Sequence, residues 1–99
     1  MVRPRALSES ARIILAALLE ARGGWSHGYD LARAAGVKGG TLYPLLIRLE
    51  AQGFLEAEWQ QPPEGGRPMR HAYRLTPGGI ALAQANPPRA PAAPREALS

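Results

Sequence analysis

The sequence predicts an α+β fold that is mainly helical and forms a single domain. Apolar residues recur with a period of about 3.6 in the first half of the chain, and the period changes to 2 after Gly53. A chain of 99 residues suffices for one small domain, which buries roughly 60–65% of the surface that its unfolded chain exposes. We therefore expect a second copy of the chain to supplement the core.

The first helix is predicted from Ser8 to Arg22, with Ser8 as its N-cap and Gly23-Gly24 at its end. One helical stripe of apolar side chains runs along it, and this stripe is more apolar than one small core requires. We expect part of the stripe to form a dimer contact together with two residues of the last helix. The predicted contact residues are Ile14, Leu15, Leu18, Ile80 and Leu82.

A second, shorter helix is predicted from His27 to Ala35, with Ser26 as its N-cap and Gly36 at its end. Tyr29 is expected among its packing residues. The link that follows Gly36 is short and contains glycine. Two helices joined in this way are typical of a helix-turn-helix.

The third helix is predicted to begin near Gly40 and to end before Gly53. Its buried stripe is made of leucines at helical spacing: Leu42, Leu45, Leu46 and Leu49. Pro44 fits this helix if it lies in the first turn, where few amides have partners within the helix. The opposite face carries Thr41, Pro44 and Arg48, so it is polar and free to contact a partner.

A β-hairpin is predicted after the third helix. Residues 55–60 and 70–75 alternate apolar and polar side chains, as half-buried strands do. Residues 61–68 are rich in proline and glycine and are expected to form a flexible tip. We expect carboxylates of the first strand to pair with arginines of the second, and the residues concerned are Glu56, Glu58, Arg70 and Arg74.

A short fourth helix is predicted from Pro77 to about Asn86, with Thr76 as its N-cap and proline at the first helical position. Residues 1–7 form a basic arm that we expect to be flexible. Residues 87–99 are rich in proline and alanine and are predicted to be disordered. The domain is therefore expected to span residues 8–86.

A helix, a helix-turn-helix, a hairpin and a final helix follow one another in the order of the winged-helix architecture. The specific prediction is thus a winged helix-turn-helix with three helices, a two-stranded wing and a short C-terminal helix. The two tryptophans, Trp25 and Trp59, are expected in its core. The net charge of +4, with arginine as eleven of the twelve basic residues, is a hint of nucleic acid as the partner.

The composition argues against several other classes of protein. The chain has no cysteine and two histidines, so no metal site is predicted, and the lack of cysteine fits a cytoplasmic location. No apolar run approaches the roughly 18 residues of a membrane span, and no membrane association is expected. No serine has a His/Asp constellation around it, and Gly65-Gly66-Arg67 lacks the strand-loop-helix setting of a phosphate loop. We therefore predict no catalysis and no cofactor.

Several segments of the chain are similar, in order and spacing, to PadR-like transcriptional regulators. They are Gly28-Tyr29-Asp30-Leu31, Gly40-Thr41-Leu42-Tyr43-Pro44-Leu45-Leu46, Arg48-Leu49-Glu50-Ala51-Gln52-Gly53-Phe54-Leu55, Gly65-Gly66-Arg67-Pro68 and Tyr73-Arg74-Leu75-Thr76-Pro77-Gly78-Gly79. The resemblance covers about residues 8–86. It implies a winged-helix repressor that acts as a homodimer on operator DNA. It also implies that Gly40, Thr41, Tyr43 and Pro44 open the recognition helix and that Gly66-Arg67 lie at the wing.

The second helix of a helix-turn-helix places its N-terminal half in the major groove of DNA. We expect Lys38 and Arg48 to contact phosphates and Thr41 to reach a base edge or a thymine methyl group. Tyr43 either packs with its ring or meets a phosphate with its hydroxyl. The complete set of predicted DNA contacts is Lys38, Gly40, Thr41, Tyr43, Pro44, Arg48, Gly66, Arg67 and Arg70.

The leading hypothesis is a sequence-specific, dimeric repressor that binds a pseudo-palindromic operator in double-stranded DNA. Its half-sites would lie about 10 bp apart or a multiple of that distance. Two alternatives stay open at this point. A winged helix can use the same faces to bind a protein, and a cavity at the dimer interface near Trp25 could bind a small, planar aromatic effector.

Overall fold

The computed structural model describes residues 7–63 and 65–89. Its elements in chain order are α1 (Glu9–Glu20), β1 (Ser26–His27), α2 (Gly28–Ala35), α3 (Gly39–Ala51), β2 (Leu55–Gln60), β3 (Arg70–Leu75) and α4 (Pro77–Ala85). This order confirms the predicted winged helix-turn-helix. The predicted basic arm lies outside the described residues except for Leu7, and so does the predicted tail beyond residue 89.

Helix α1 begins where the sequence predicts. The Ser8 Oγ accepts a hydrogen bond from the Ala11 amide at 3.1 Å, which satisfies one of the amides that a first helical turn leaves without a partner. The helix ends at Glu20. Arg22 and Gly23 then turn the chain with φ values of 53° and 87°.

Helix α1 also supplies the centre of the hydrophobic core. Ile14 and Leu15 are fully buried, and Leu18 retains 2% of its exposure. The prediction that these three residues contribute to a dimer contact is wrong, because the core of their own domain encloses them and leaves no surface for a second copy. The other two predicted dimer residues, Ile80 and Leu82, are partly buried at the edge of the same core.

The sheet contains one strand more than the predicted hairpin. Its three antiparallel strands lie in the order β1-β3-β2, and Ser26 and His27 of β1 pair with Tyr73 and Ala72 of β3. The prediction that Ser26 caps α2 is therefore wrong. Strand pairing takes Ser26 into the sheet, and His27 precedes α2 without a capping hydrogen bond from its side chain.

The predicted hairpin is confirmed, with its six-residue strands paired from Leu55 opposite Leu75 at the base. Glu56 and Arg74 form the expected cross-strand ion pair, with 2.7 Å between Oε1 and Nε. Glu58 pairs with no arginine in the part of the chain that the structure describes. Its Oε2 accepts a hydrogen bond from the Gln60 side-chain amide at 2.9 Å instead, so that part of the pairing prediction is wrong.

Two aromatic residues expected in the core are exposed. Tyr29 keeps 69% of its exposure on the outer face of α2, and Trp59 keeps 61%. Trp59 lies on the outer part of the hairpin, where its ring stacks on that of His71 at a centroid distance of 4.4 Å. Trp25 is half-buried, because the Arg74 guanidinium covers its ring at 4.5 Å.

Helix α4 is fixed to the turn that ends α3. The predicted N-cap is confirmed, since Thr76 Oγ1 accepts a hydrogen bond from the Gly79 amide at 3.0 Å. The same hydroxyl donates to the Gly53 carbonyl at 2.7 Å. Gly79 lies against the backbone of Phe54 so closely that a Cβ atom would overlap the Phe54 carbonyl oxygen.

The chain returns to α1 after α4. The Arg12 guanidinium donates to the Pro87 carbonyl at 3.2 Å, and the Arg89 amide donates to the Glu9 carboxylate at 3.2 Å. These contacts bring the start and the end of the described chain together. In residues 7–63 and 65–89, no helix has the length and apolar character that crossing a membrane requires.

Candidate nucleic-acid interface

The helix-turn-helix is closed by the residues that follow α2. Gly36 adopts the left-handed conformation with φ of 67°, which glycine accepts at little cost. The Val37 amide donates to the Ala32 carbonyl at 3.0 Å and the Gly36 amide to the Arg33 carbonyl at 3.3 Å. These two hydrogen bonds together form the Schellman motif. The motif directs the chain from α2 into α3 within three residues.

Helix α3 has one buried and one exposed side. Leu42, Leu46 and Leu49 are buried, and Leu45 is partly buried against the core. The predicted contact residues on this helix are all exposed: Lys38, Gly40, Thr41, Tyr43, Pro44 and Arg48. Lys38 and Arg48 are separated by about 15 Å along the helix axis, because each residue advances the helix by about 1.5 Å.

The start of α3 differs from its prediction at Pro44. The helix begins at Gly39, so Pro44 is its sixth residue and lies in the second turn. The prediction that Pro44 lies in the first turn is wrong. Its ring nitrogen has no hydrogen, so the Gly40 carbonyl receives no amide from that position. The helix continues through Pro44 because the buried leucines on both sides of it hold α3 against the core.

Tyr43 connects the two helices of the helix-turn-helix. A Cβ atom at Gly28 would lie 2.5 Å from the Tyr43 hydroxyl oxygen and 2.9 Å from its ring, so the ring packs directly on the start of α2. Tyr43 still keeps 43% of its exposure. Tyr43 is therefore packed against α2 and partly exposed at the same time. Both predicted roles, packing by the ring and a phosphate contact by the hydroxyl, are sterically possible.

The wing follows α3 after one tight turn. Gly53 has φ of 87°, and the Phe54 amide donates to the Leu49 carbonyl at 2.9 Å. This geometry ends the helix and starts β2 at Leu55. The turn therefore holds the hairpin at a defined position relative to α3.

The wing tip carries the three wing residues predicted to contact DNA. Gly66 has φ of 74° and precedes Arg67 in the connection between β2 and β3. Arg67 and Arg70 border the same hollow of about 330 Å³, together with Pro62, Pro68 and Met69. Gly66, Arg67 and Arg70 are all exposed, so the tip presents two guanidinium groups to the solvent.

The core-facing side of the hairpin carries an aromatic ladder. His71 lies between Trp59, on which it stacks, and Tyr73, whose ring is tilted by 47° relative to it; the Tyr73 hydroxyl lies 3.0 Å from His71 Nδ1. Burial raises the pKa of Tyr73 above its ordinary value, and the nearby Tyr43 and Glu50 of α3 raise it further. Tyr73 therefore stays neutral at physiological pH and can donate a hydrogen bond to His71.

Sequence reasoning missed one exposed apolar residue of α3. Ile47 keeps 66% of its exposure, although it lies among leucines in the sequence. The signal was available. Successive residues of a helix are turned by about 100°, which places Ile47 opposite Leu42 and Leu49 and beside Pro44.

A groove of about 740 Å³ lies between α3 and the helices α1 and α4. Its apolar walls include Leu45, Phe54 and Leu82, and Arg48 lines it as well. Arg48 thus borders both the exposed face of α3 and this groove. Within residues 7–63 and 65–89, no group of three or more side chains suited to metal binding occurs.

The arrangement defines a class of protein. A helix-turn-helix, followed by a hairpin attached through one tight turn, is a winged-helix domain of the DNA-binding type. The sequence profile described as the transcriptional regulator PadR-like family matches residues 14–85. The chain therefore belongs to the PadR-like family of transcriptional regulators, which are not enzymes.

Solved structures support the same assignment. A PadR family transcriptional regulator from Eggerthella lenta DSM 2243 is 32% identical, with a TM-score of 0.62, over 78% of this chain and 70% of that one. The protein smu.1704 from Streptococcus mutans UA159 is 28% identical, with a TM-score of 0.65, over 86% of this chain and 78% of that one. Comparison with curated proteins gives no match.

More distant likenesses concern the fold alone. The PcaV regulator from Streptomyces coelicolor, solved with its natural ligand, is 24% identical with a TM-score of 0.65 over 87% of this chain and 56% of that one. The chain likewise spans 54% of the length of the transcriptional regulator PA4135. It therefore corresponds to about half of these longer regulators.

Proposed function

We propose that this chain is a sequence-specific transcriptional repressor that binds a pseudo-palindromic operator as a homodimer. The observation that supports this function most is the exposed face of α3, followed at once by a hairpin with two exposed arginines at its tip. A helix face without such neighbours would be ordinary solvated surface. Joined to a helix-turn-helix and a wing, it has the form of a major-groove reader.

The two parts of this surface have different tasks in the proposed complex. Lys38 and Arg48, near opposite ends of α3, contact phosphates and set the position of the helix. Thr41 lies on the same side of the helix as Arg48 and reaches a base edge. Phosphate contacts supply much of the affinity and base contacts supply the specificity.

The wing extends the contact beyond α3. Arg67 and Arg70 border one hollow at the tip, so both guanidinium groups can approach the same stretch of DNA backbone. The backbone of Gly66 allows close approach. Arginine is also the side chain favoured in a narrow minor groove.

The proposed dimer uses the edge of the core rather than its centre. Leu82 is only partly buried and lines the groove beside α3, so a second copy can cover it. Leu82→Glu should convert the dimer to a monomer in sedimentation at micromolar concentration. Ala81→Glu, at an exposed neighbour on α4, is the matched control and should leave the mass unchanged.

DNA binding is tested by titration of the full chain with duplex DNA at several salt concentrations. We expect selected operator DNA to bind at least about 1,000-fold more tightly than random DNA, and the affinity to fall steeply with salt. Binding that shows neither salt dependence nor sequence preference would contradict the proposal. It would favour a protein-interaction module that uses the same face.

Arg67 provides a sharper test of the wing. Arg67→Ala should weaken binding to operator and random DNA alike and lower the salt slope by about one. Arg22→Ala removes another exposed arginine, in the turn after α1, and serves as the control. Equal affinities for both variants would remove the wing from the interface.

A regulator that senses a small aromatic acid is the second candidate function, and the groove beside α3 favours it. The groove has apolar walls and Arg48 as its cation, which together suit a planar ring with a carboxylate. Calorimetric titration with aromatic carboxylates tests this directly. Arg48→Gln should abolish binding of the aromatic carboxylate. Substitution of Trp25, which does not line the groove, should leave this binding unchanged.

A further inference from the structure

The outermost strip of α3 carries no side chain that can form a hydrogen bond. The strip consists of Gly40, Pro44, Ile47 and Ala51, which follow one another at the i, i+4, i+7, i+11 spacing of a single helix face. All four residues are exposed. They lie opposite the buried Leu42, Leu46 and Leu49, so the strip is the part of α3 that projects farthest from the domain.

Hydrogen-bonding side chains lie only on the flanks of this strip. Thr41 and Arg48 lie along one edge, and Tyr43 and Glu50 lie along the other. In the proposed complex, the centre of the recognition helix therefore cannot read bases through bidentate hydrogen bonds, which are the usual way to recognise guanine or adenine.

Ile47 dominates the strip. It keeps 66% of its exposure, and its branched side chain is the only large one in the set. A domain gains nothing from the exposure of such a side chain to water, because burial of apolar surface is favourable. An apolar partner surface in the DNA groove would reverse this loss.

Major-groove edges offer one apolar group, the C5-methyl group of thymine. We infer that Ile47 is a specificity-determining residue that recognises thymine methyl groups in the operator, with Pro44 beside it. The inference rests on the proposed function. It assigns the centre of α3 to methyl recognition and leaves Thr41 and Arg48 to the flanking polar contacts.

The cations around the strip agree with this assignment. Lys38 and Arg48 on α3 and Arg67 and Arg70 on the wing are all exposed. These four side chains lie on the two elements beside the strip, α3 and the wing. There they offer positive charge to a polyanion. A duplex fits both features at once, since it presents phosphates at the rims of the groove and thymine methyl groups on its floor.

The experiment begins with selection of binding sites from a random duplex pool by the full chain. Each thymine of the enriched sequence is then replaced, one at a time, by deoxyuridine, which removes the methyl group and keeps every hydrogen-bonding group. Wild-type protein should bind at least one of these duplexes about 3- to 5-fold more weakly, the factor that one buried methyl group provides.

Ile47→Ala should bind the thymine and deoxyuridine duplexes equally at that position. This variant should fold, because it replaces an exposed β-branched residue by the best helix former. Tyr29→Ala removes a comparably exposed apolar side chain from α2 and should keep the full discrimination. The ratio of the affinities for the thymine and deoxyuridine duplexes is thus compared between the wild type and Ile47→Ala. The difference between the two ratios measures the coupling between Ile47 and one defined methyl group.

Four results bear against the inference. An enriched sequence without a common thymine, or equal binding of every deoxyuridine duplex, would overturn it. Discrimination that persists in Ile47→Ala would assign the methyl contact to another residue. A change in self-association by Ile47→Ala, without any methyl effect, would make the strip a protein-binding surface. Failure to enrich any sequence is a different result, since it would overturn the proposed function itself.

Discussion

The two helices that frame the domain begin differently from the two helices of the helix-turn-helix. All four N-cap residues have similar backbone angles, with φ between −68° and −86° and ψ between 150° and 170°. Ser8 and Thr76 cap α1 and α4 with their side chains. His27 and Lys38, which precede α2 and α3, make no such bond.

This difference shows that the starts of the two pairs of helices are fixed in different ways. Helices α1 and α4 carry their start signals in the local sequence. Helices α2 and α3 depend on contacts with the rest of the domain, such as the Tyr43 ring on Gly28 and the buried leucines of α3. Helix α3, the candidate recognition helix, is therefore less firmly anchored at its start than α1 and α4 are.

Gly79→Ala tests the framing helices and should have the largest effect. The new Cβ atom would overlap the Phe54 carbonyl oxygen, and backbone cannot move aside as a side chain can. We expect a loss of about 3 kcal/mol in unfolding free energy, at the upper end for overpacking. Chemical denaturation measures this loss. Gly78→Ala is the control, since its Cβ would find only ordinary contacts at 3.8 Å and 4.0 Å.

Gly28→Ala tests the contact between the helices of the helix-turn-helix. The Tyr43 ring must move to make room, so we expect a loss of about 2 kcal/mol by overpacking and a weaker affinity for operator DNA. Gly39→Ala, whose Cβ would lie 3.4 Å from the same ring, should affect the contact much less. In the Tyr43→Ala background, Gly28→Ala should no longer be destabilising. A cost that persists there would mean that Tyr43 does not hold α2 against α3.

Thr76→Ala tests the local signal of a framing helix. It removes the acceptor for the Gly79 amide and the donor to the Gly53 carbonyl, and we expect a loss of about 1–2 kcal/mol in unfolding free energy. Urea denaturation followed by Trp fluorescence measures it. Thr76→Ser keeps both bonds and should restore most of the stability, whereas equal losses in the two variants would show that the methyl group matters instead.

Lys38→Ser makes the reverse change in the helix-turn-helix. The backbone at Lys38 already has an N-cap conformation, with φ of −71° and ψ of 153°. A capping serine should therefore raise the unfolding free energy by about 0.5–1 kcal/mol. Lys38→Ala supplies no acceptor and is the control in thermal denaturation. Serine and alanine variants of equal stability would show that the start of α3 is already anchored by other contacts.

Tyr73 provides the smallest test, which concerns the attachment of α3 to the sheet. Its pKa is raised in the folded chain by burial and by Tyr43 and Glu50. The unfolded chain therefore releases this proton at a lower pH. The stability that the neutral hydroxyl contributes is complete below about pH 10 and is lost as the pH rises towards the folded pKa.

Unfolding free energies measured from about pH 8 to pH 11 should therefore fall less steeply for Tyr73→Phe than for the wild type. Tyr29→Phe removes an exposed hydroxyl and is the control. If both variants followed the wild-type slope, the burial of Tyr73 would not be coupled to the stability of the domain.

Local signals predicted most element boundaries correctly. Ser8, Gly36, Gly53 and Thr76 mark ends of helices as expected, because caps and left-handed turns depend on residues a few positions apart. The leucine period of α3 and the alternation of the two hairpin strands were sufficient for the same reason. Together, these local features predict the order of helices and strands that defines a winged helix.

Predictions that required distant contacts were less successful. Strand β1 exists because Ser26 and His27 meet β3 some 46 residues later, at Tyr73 and Ala72. The burial of Ile14, Leu15 and Leu18, and the exposure of Tyr29 and Trp59, depend on which elements cover them. The period of apolar residues predicts that a helix has an apolar side. It does not predict which other element covers that side.

The sequence by itself therefore determined the winged-helix order, the caps of α1 and α4 and the exposed side of α3, because these follow from local chemistry and helical spacing. Only the tertiary structure decided that Ile14, Leu15 and Leu18 of α1 are enclosed by the core of their own domain and that Tyr43 joins α2 to α3. Packing between residues far apart in the chain sets these features, and no local rule contains it.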